Sequence, residues 1–322
     1  MKSILLFLIS FKLLWSVSFY GETRVLWNIP VTVSVWAGQA DRAREAVERC
    51  FLRMKESAGR LNYYDPRSEV SKINRNSGIR PVKVSEETFH LIERAIEISR
   101  LVDGAFDITV RPLYALWDFR RKRVPTSREI AAAKERVGYD LVVLDRRRRT
   151  VFLKKRGMEI DLGGILKGFL ADRCVEVLKE MKVSGGMVAV GGDLRVFGSR
   201  PGKGVWRIGI KDPRSSGVIA VLELREGAVS TSGDYERFFL KGGKRYHHII
   251  DPRTGYPAEG VWSATVVAGE GVLADALSTA LFVLGVRRSA EVLRRLATGF
   301  VLVERGGRIR TGGKLKLIIP AP

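Results

Sequence analysis

The sequence predicts a mixed α/β fold of the α+β kind, and three observations carry that expectation. Short stretches of period-two alternation, beginning with residues 25–36, read as half-buried strands. Apolar stripes at helical spacing recur between them, as in residues 41–61, where Val47, Cys50, Phe51, Met54, Ala58 and Leu61 share one face. No internal repeat, low-complexity tract or long linker separates these elements.

With 322 residues, 45% hydrophobic and 28% charged, the chain holds ample material for a core, in one large domain or two modest ones. Lys and Arg total 56 against 35 Asp and Glu, a net charge of +21. Such a charge suits nucleic acid, anionic membrane, acidic proteins or polyphosphate ligands. The cations are spread along the whole chain, with short clusters at 120–123 and 146–149, which argues for a generally basic surface and against a nucleic-acid stripe. Cys50 and Cys174 each fall on the apolar face of a predicted helix and read as buried free thiols. Together with His90, His247 and His248 they provide neither a zinc-ligand spacing nor a disulfide framework.

Taken in order, the chain opens with Lys2 and an apolar run to Phe11, a signal peptide or N-terminal membrane anchor over residues 1–20. One domain is expected over 21–322. Residues 25–36 form the first strand and 41–61 the first helix. The polar, aromatic stretch 61–78 follows, where Tyr64 suits an aromatic platform for a flat ligand, or packs on its own scaffold. Ser85, followed by Glu86 and Glu87, caps a helix that turns Leu91, Ile92, Ala95, Ile96 and Val102 inward and stops at Asp103-Gly104. Ser127 opens another helix that Gly138 closes, and 141–144 with 151–153 make a hairpin. Strands follow through the glycine-rich region 185–209 and at 218–224 and 227–230, and residues 230–235 make a polar turn. A short helix near 290–296 and two strands close the chain.

Three stretches look like parts of a site. Residues 271–285 read as a buried helix with Asp275 and Thr279 on one face. A carboxylate beside a core-facing stripe is costly to bury unless something pairs with it. A hard cation such as Mg2+ does so, favouring one or two protein carboxylates plus hydroxyl, carbonyl, water and phosphate oxygens. The alternative puts Asp275 on the solvated face with Thr279 bonded back to its own helix. In 159–168 a strand ends at Asp161, Gly163 and Gly164 turn the backbone, and Lys167 sits one turn into a helix, a pattern suited to phosphate and distinct from a Walker A loop. A plain strand–turn–helix would read the same. In 247–257, His248, Asp251 and Arg253 crowd a turn set by Pro252 and Gly255, either as a site or as a turn anchored by Asp251.

Taken jointly, these segments resemble the ApbE family of FAD:protein FMN transferases. The landmarks are Tyr64-Asp65-Pro66 with Ser68-Glu69-Val70-Ser71 and Asn74; Asp103-Gly-Ala-Phe-Asp-Ile-Thr109; Asp161-Leu-Gly-Gly-Ile-Leu-Lys-Gly168; Gly191-Gly-Asp193; Ser230-Thr-Ser-Gly-Asp-Tyr235; His248-Ile-Ile-Asp-Pro-Arg-Thr-Gly255; and Ala274-Asp-Ala-Leu-Ser-Thr-Ala280. They stand in the family's order from about residue 25 to 285. The resemblance implies two lobes with an FAD cleft between them. It implies Mg2+-dependent transfer of the FMN half of FAD, the substrate, to a Thr or Ser hydroxyl of an acceptor flavoprotein of an electron-transfer system, releasing AMP. By position Asp275, Thr279 and the Gly164 carbonyl would hold the metal. Tyr64, Ala105, Phe106, Asp107, Asp161, Lys167 and the backbone near Ile249 would bind FAD. His248 is the candidate general base by residue type. The family's Met-Gly-Thr in the opening strand is Asn28-Ile29-Pro30 here, so no flavin contact is assigned to that strand. The leader-like start and such acceptors imply an exported, periplasmic or outer inner-membrane-face enzyme with possible membrane association. An FAD pyrophosphatase and a non-catalytic flavin-binding protein are the competing readings.

Overall fold

The computed structural model describes residues 18–198, 204–296 and 299–319, so the apolar start at 1–17 lies outside them. The chain opens with an antiparallel hairpin, β1 (Ser18–Leu26) and β2 (Ile29–Ala37). Residues 25–36 are therefore not one strand. Trp27 (φ 52°) and Asn28 (φ 64°) are both left-handed, the two-residue turn whose twist matches that of paired strands. A reversal of two residues preserves the in–out parity, so alternation ran through it unseen. Next comes α1 (Ala40–Leu61), whose predicted stripe is wholly buried.

Ser68 caps α2 (Glu69–Arg75), a short helix inside the polar stretch, by accepting from the Ser71 N–H. After β3 (Val82–Lys83), Ser85 caps α3 (Glu86–Leu101) as expected, accepting from Thr88 N. Beyond α4 (Arg111–Tyr114), α5 (Ser127–Lys134) opens at Ser127 as expected, with Thr126 as its cap. Thr126 and Glu129 satisfy each other's backbone N–H in a capping box. The hairpin β4 (Val142–Asp145) and β5 (Thr150–Leu153) takes β3 as a third strand.

No strand ends at Asp161. The backbone there bonds elsewhere: Ile160 N donates to the Asn74 side chain at 2.8 Å, Asn74 Nδ2 donates to Ile160 O at 2.9 Å, and Asp161 N donates to Ile108 O at 2.8 Å. It leads into α6 (Leu166–Glu180), then β6 (Gly185–Val190), β7 (Asp193–Gly198), β8 (Trp206–Lys211), β9 (Val218–Leu224) and β10 (Gly227–Gly233). Ser230 to Gly233 thus belong to a strand and not to the expected turn, which starts at Asp234. An unforeseen hairpin, β11 (Phe238–Lys241) and β12 (Lys244–His247), precedes β13 (Val261–Ala268). Helix α7 (Gly271–Leu296) breaks at Gly285 (φ 66°), which separates the short second helix. The chain closes with β14 (Gly299–Glu304), β15 (Ile309–Gly312) and a third short strand, β16 (Leu317–Ile318).

The centre is an eight-stranded sheet in the order β1-β2-β6-β7-β10-β13-β14-β15, antiparallel at every neighbouring pair. Alternation sorts its two faces. Val31, Val33, Val35, Val188 and Val190 join the core formed with α1, α6 and α7, while Trp36, Met187 and Val196 face the small sheet β16-β9-β8. A separate apolar cluster of Leu113, Trp117, Ile130, Ala133, Phe239 and Ile250 forms the smaller lobe around α4, α5 and the β11–β12 hairpin.

Candidate active site

The site is built where α6 crosses α7. The crossing needs glycine twice: a Cβ on Gly168 would stand 2.1 Å from the Gly271 carbonyl oxygen, and one on Gly271 would stand 2.4 Å from that of Gly168. This approach brings Asp275, on the second turn of α7, to the start of α6, where Gly168 N donates to Asp275 Oδ2 at 3.0 Å. Asp275 is only 3% exposed, so it is the buried carboxylate and not the solvated one. Burial, reinforced by the neighbouring Asp193, pushes it up to about 7 against the pull of Lys167 and Gly168 N–H. Lys167 Nζ lies 2.6 Å from Asp193 Oδ2 and 3.8 Å from Asp275 Oδ1. Burial works against that ammonium, but the Asp275 and Asp193 carboxylates hold it above the usual lysine range.

Thr279 does not simply bond back to its own helix. Its Oγ1 is 3.2 Å from Ser232 Oγ on β10. Ser232 also meets Ser278 at 2.9 Å, and Ser278 donates to the Asp275 carbonyl at 2.9 Å. Ser230 donates to Asp193. A Cβ on Gly164 would lie 3.2 Å from the Phe106 ring and 3.8 Å from Thr279 Oγ1, so Gly164, Phe106 and Thr279 are immediate neighbours. Gly164, Lys167, Asp275 and Thr279, predicted from two distant stretches, therefore meet at one place. Among the described residues no three His, Cys, Asp or Glu side chains cluster as a metal group. One carboxylate, one hydroxyl and one carbonyl leave room for water and phosphate oxygens, a donor set that fits Mg2+.

The other predicted residues line up around this centre with differing freedom. Ala105 and Phe106 are buried. Asp107 is fully engaged: it accepts from Thr109 N at 2.8 Å, Thr109 Oγ1 at 2.7 Å and Tyr139 N at 2.9 Å, while burial raises its carboxyl to about 6. Asp161 accepts from Gly163 N at 2.9 Å, which shapes the turn before α6, and burial raises it too. Tyr64 is 70% exposed, with its ring 5.1 Å from that of Tyr63 and edge-on to it. Ile249 N donates to His247 Nδ1 at 3.3 Å and its carbonyl accepts from Ala258 N.

The two histidines differ in kind. His247 is 1% exposed and edge-on to Phe282; because Ile249 N–H points at Nδ1, the proton is assigned to Nε2, which donates to Ala258 O at 2.8 Å. His248 has Nδ1 3.3 Å from the Arg237 carbonyl, which assigns the proton there and leaves the Nε2 lone pair open. Burial, then the charges of His247 and Arg237, lower it to about 4, so its ring is neutral at pH 7. The turn after it is anchored by Asp251, which holds Arg253 through two contacts of 2.8 Å and accepts the Gly255 N–H on its carbonyl.

Sequence reasoning left Asp193, Ser230, Ser232 and Ser278 out of the site. The signal for Asp193 was its place after Gly191-Gly192; for the serines it was their common side of β10 and α7. Asp172 of α6 was also passed over. It accepts from Gly271 N at 2.8 Å and Val272 N at 2.9 Å, capping α7, and pairs with the buried Arg195 of β7 at 3.0 Å.

Comparison with known proteins agrees over nearly the whole chain. The profile of the ApbE family matches residues 27–303. A Klebsiella pneumoniae protein named FAD:protein FMN transferase is 34% identical over 281 residues, covering 86% of both chains. A Treponema pallidum protein of the same name is 35% identical, covering 79% of this chain and 75% of its own. Among solved structures, an ApbE protein from Thermotoga maritima superposes with a TM-score of 0.85 at 40% identity, over 91% of this chain and 96% of that one. The flavin transferase ApbE from Vibrio cholerae gives 0.83 at 27% identity, over 92% and 97%.

Proposed function

The chain belongs to the ApbE family and is a transferase enzyme, and from that premise we propose that it moves the FMN half of FAD to a Thr or Ser hydroxyl of a separate flavoprotein, with Mg2+ at the Asp275 site. The observation that carries this reading is the α6–α7 crossing, which assembles Lys167, Asp275, Thr279 and Gly164 from two remote segments.

In the proposed reaction the acceptor oxygen bonds to the phosphorus of the FMN half. The pyrophosphate P–O bond breaks, and AMP leaves with the bridging oxygen. The acceptor's proton goes to His248 Nε2, which is unprotonated at neutral pH. Lys167, fixed by Asp193, places a permanent cation beside the pyrophosphate and offsets charge on the departing AMP. The positive end of the α6 dipole, where Gly168 N–H already binds Asp275, adds to the field that favours anionic oxygens there. Held by Asp275, Thr279 and the Gly164 carbonyl, Mg2+ would supply Lewis-acid neutralisation of the pyrophosphate oxygens. Asp275, already bonded by Gly168 N–H, serves as ligand and not as base.

We also propose that the acceptor is an exported or membrane-bound flavoprotein of an electron-transfer system and that the reaction occurs on the exported side of a membrane, on the strength of the apolar start after Lys2. Among the described residues no helix is long and apolar enough to cross a membrane.

The test is the intact mass of an acceptor domain with a Thr-containing flavinylation motif, after incubation with enzyme, FAD and Mg2+. A gain of one FMN less water, abolished by EDTA and by Asp275→Ala, is expected. AMP and free FMN accumulating without that gain would make the enzyme a pyrophosphatase. FAD bound and unchanged would make it a flavin-binding protein.

A further inference from the structure

Arg111, at the start of α4, is held in an unusual way for a partly buried cation. Its guanidinium lies 4.3 Å from the centroid of the Tyr63 ring, 5.1 Å from that of Tyr114 and 5.9 Å from that of Tyr64. Its Nε is buried with no hydrogen-bond partner. The Tyr63 side chain hydrogen-bonds the guanidinium elsewhere, and Asp161 is the carboxylate whose field reaches it. Ring faces offset part of the cost of removing a guanidinium from water, but they do not replace hydrogen-bond acceptors.

The surroundings connect it to the candidate site. Tyr64 leaves 70% of its surface open beside this cation. The Tyr114 hydroxyl accepts from Arg237 Nη1 at 2.8 Å, and the Arg237 carbonyl faces His248 Nδ1 at 3.3 Å. On the other side, Asp161 opens the Gly163-Gly164 turn that leads to Lys167. A chain of contacts thus runs from Arg111 through Tyr114 and Arg237 to the candidate base.

We infer that Arg111 binds the pyrimidine carbonyl edge of the flavin ring, and so decides which end of FAD lies beside Tyr64. This rests on the FAD reading above. The guanidinium is a planar fork of donors with no acceptor. The flavin edge offers neighbouring acceptors, a ring nitrogen beside a carbonyl, that match it two to two. Adenine has no carbonyl, and its amino donor stands beside N1 and N7, so no edge of it offers the fork two neighbouring acceptors. Tyr64 gives the flat ring a surface for stacking or edge contact.

The test is direct binding of FAD, riboflavin and ADP by calorimetry, without acceptor, to the wild type, Arg111→Ala, Arg111→Lys and Arg111→Met. Arg111→Ala should weaken FAD and riboflavin by about tenfold or more and leave ADP unchanged. Lysine, lacking the fork, should not restore the loss. Arg111→Met keeps the stem between the rings, so it gives the same answer if the alanine variant fails to fold. An equal loss for ADP, or riboflavin affinity unchanged in the variants, overturns the inference. A wild type that binds ADP but no flavin overturns it together with the FAD reading; a wild type that binds FAD while the variants do too overturns the Arg111 role alone.

Discussion

Replacing Gly168 by alanine puts the α6–α7 crossing to a quantitative test. The new methyl would stand 2.1 Å from the Gly271 carbonyl oxygen, 2.4 Å from its carbon and 2.9 Å from Asp275 Cβ. Ordinary contact begins at 3.4 Å, so the two helices must part by more than an ångström or the backbone must distort. Overpacking of this kind costs about 1–3 kcal/mol. Parting the helices also breaks the bond from Gly168 N to the Asp275 carboxylate, worth about 1.5–3 kcal/mol. Alanine returns about 1 kcal/mol through its better helix propensity. The net loss is about 1.5–5 kcal/mol, read as a lower urea midpoint at constant slope. FMN transfer should fall by about a hundredfold, because Lys167 and Asp275 no longer face one pyrophosphate at the right separation. A variant with unchanged midpoint and full transfer rate would show that the close crossing does not set the site.

Asp172→Ala uncaps α7 and leaves Arg195 buried beside an empty partner position, and should cost about 3–5 kcal/mol in denaturant unfolding. Because burial holds His248 near 4 instead of 6.5, its ring should stay neutral until pH falls toward 4, a step that an NMR titration of the histidine ring protons should show and that His248→Ala should remove. The same depression means the unfolded chain takes up the proton first, so this group's contribution to stability is present above about 6.5 and is lost as pH falls toward 4. Cys50 donates to the Cys174 carbonyl at 3.4 Å and burial pushes the Cys174 thiol well up, so neither should react with a thiol reagent until denaturant is added.

Local patterns were read well wherever one residue type had one physical use. Ser85 before an acidic first turn and the apolar stripe of α1 became a cap and a buried face as expected. Local reading failed where parity or polarity had two meanings. The β1–β2 reversal at Trp27-Asn28 preserved the alternation, leaving the left-handed asparagine as its one mark. Ser230 and Ser232 are polar and looked like a turn, yet they lie in β10 because Asp193, Ser278 and Thr279 satisfy their hydroxyls from other segments. The β11–β12 hairpin was missed because Phe238 and Leu240 stay exposed while Phe239 enters the smaller core, the reverse of what an apolar run suggests.

Spacing along the chain was enough to pick out the residue types of the candidate site and their order: Asp275 and Thr279 four apart on one helix, Lys167 one turn after paired glycines, and His248 before a rigid turn. Those are consequences of spacing, which backbone geometry converts into shared faces and tight turns without help from the rest of the chain. Folding was needed to show that Lys167 lies between Asp193 and Asp275, that Asp107 is occupied by Thr109 and Tyr139, and that His248, not His247, keeps an open nitrogen. Apart from Thr109, each of those partners stands 11 or more residues away along the chain. Such a partner is selected by packing and by the cost of leaving a buried polar group unpaired, and neither acts along the sequence.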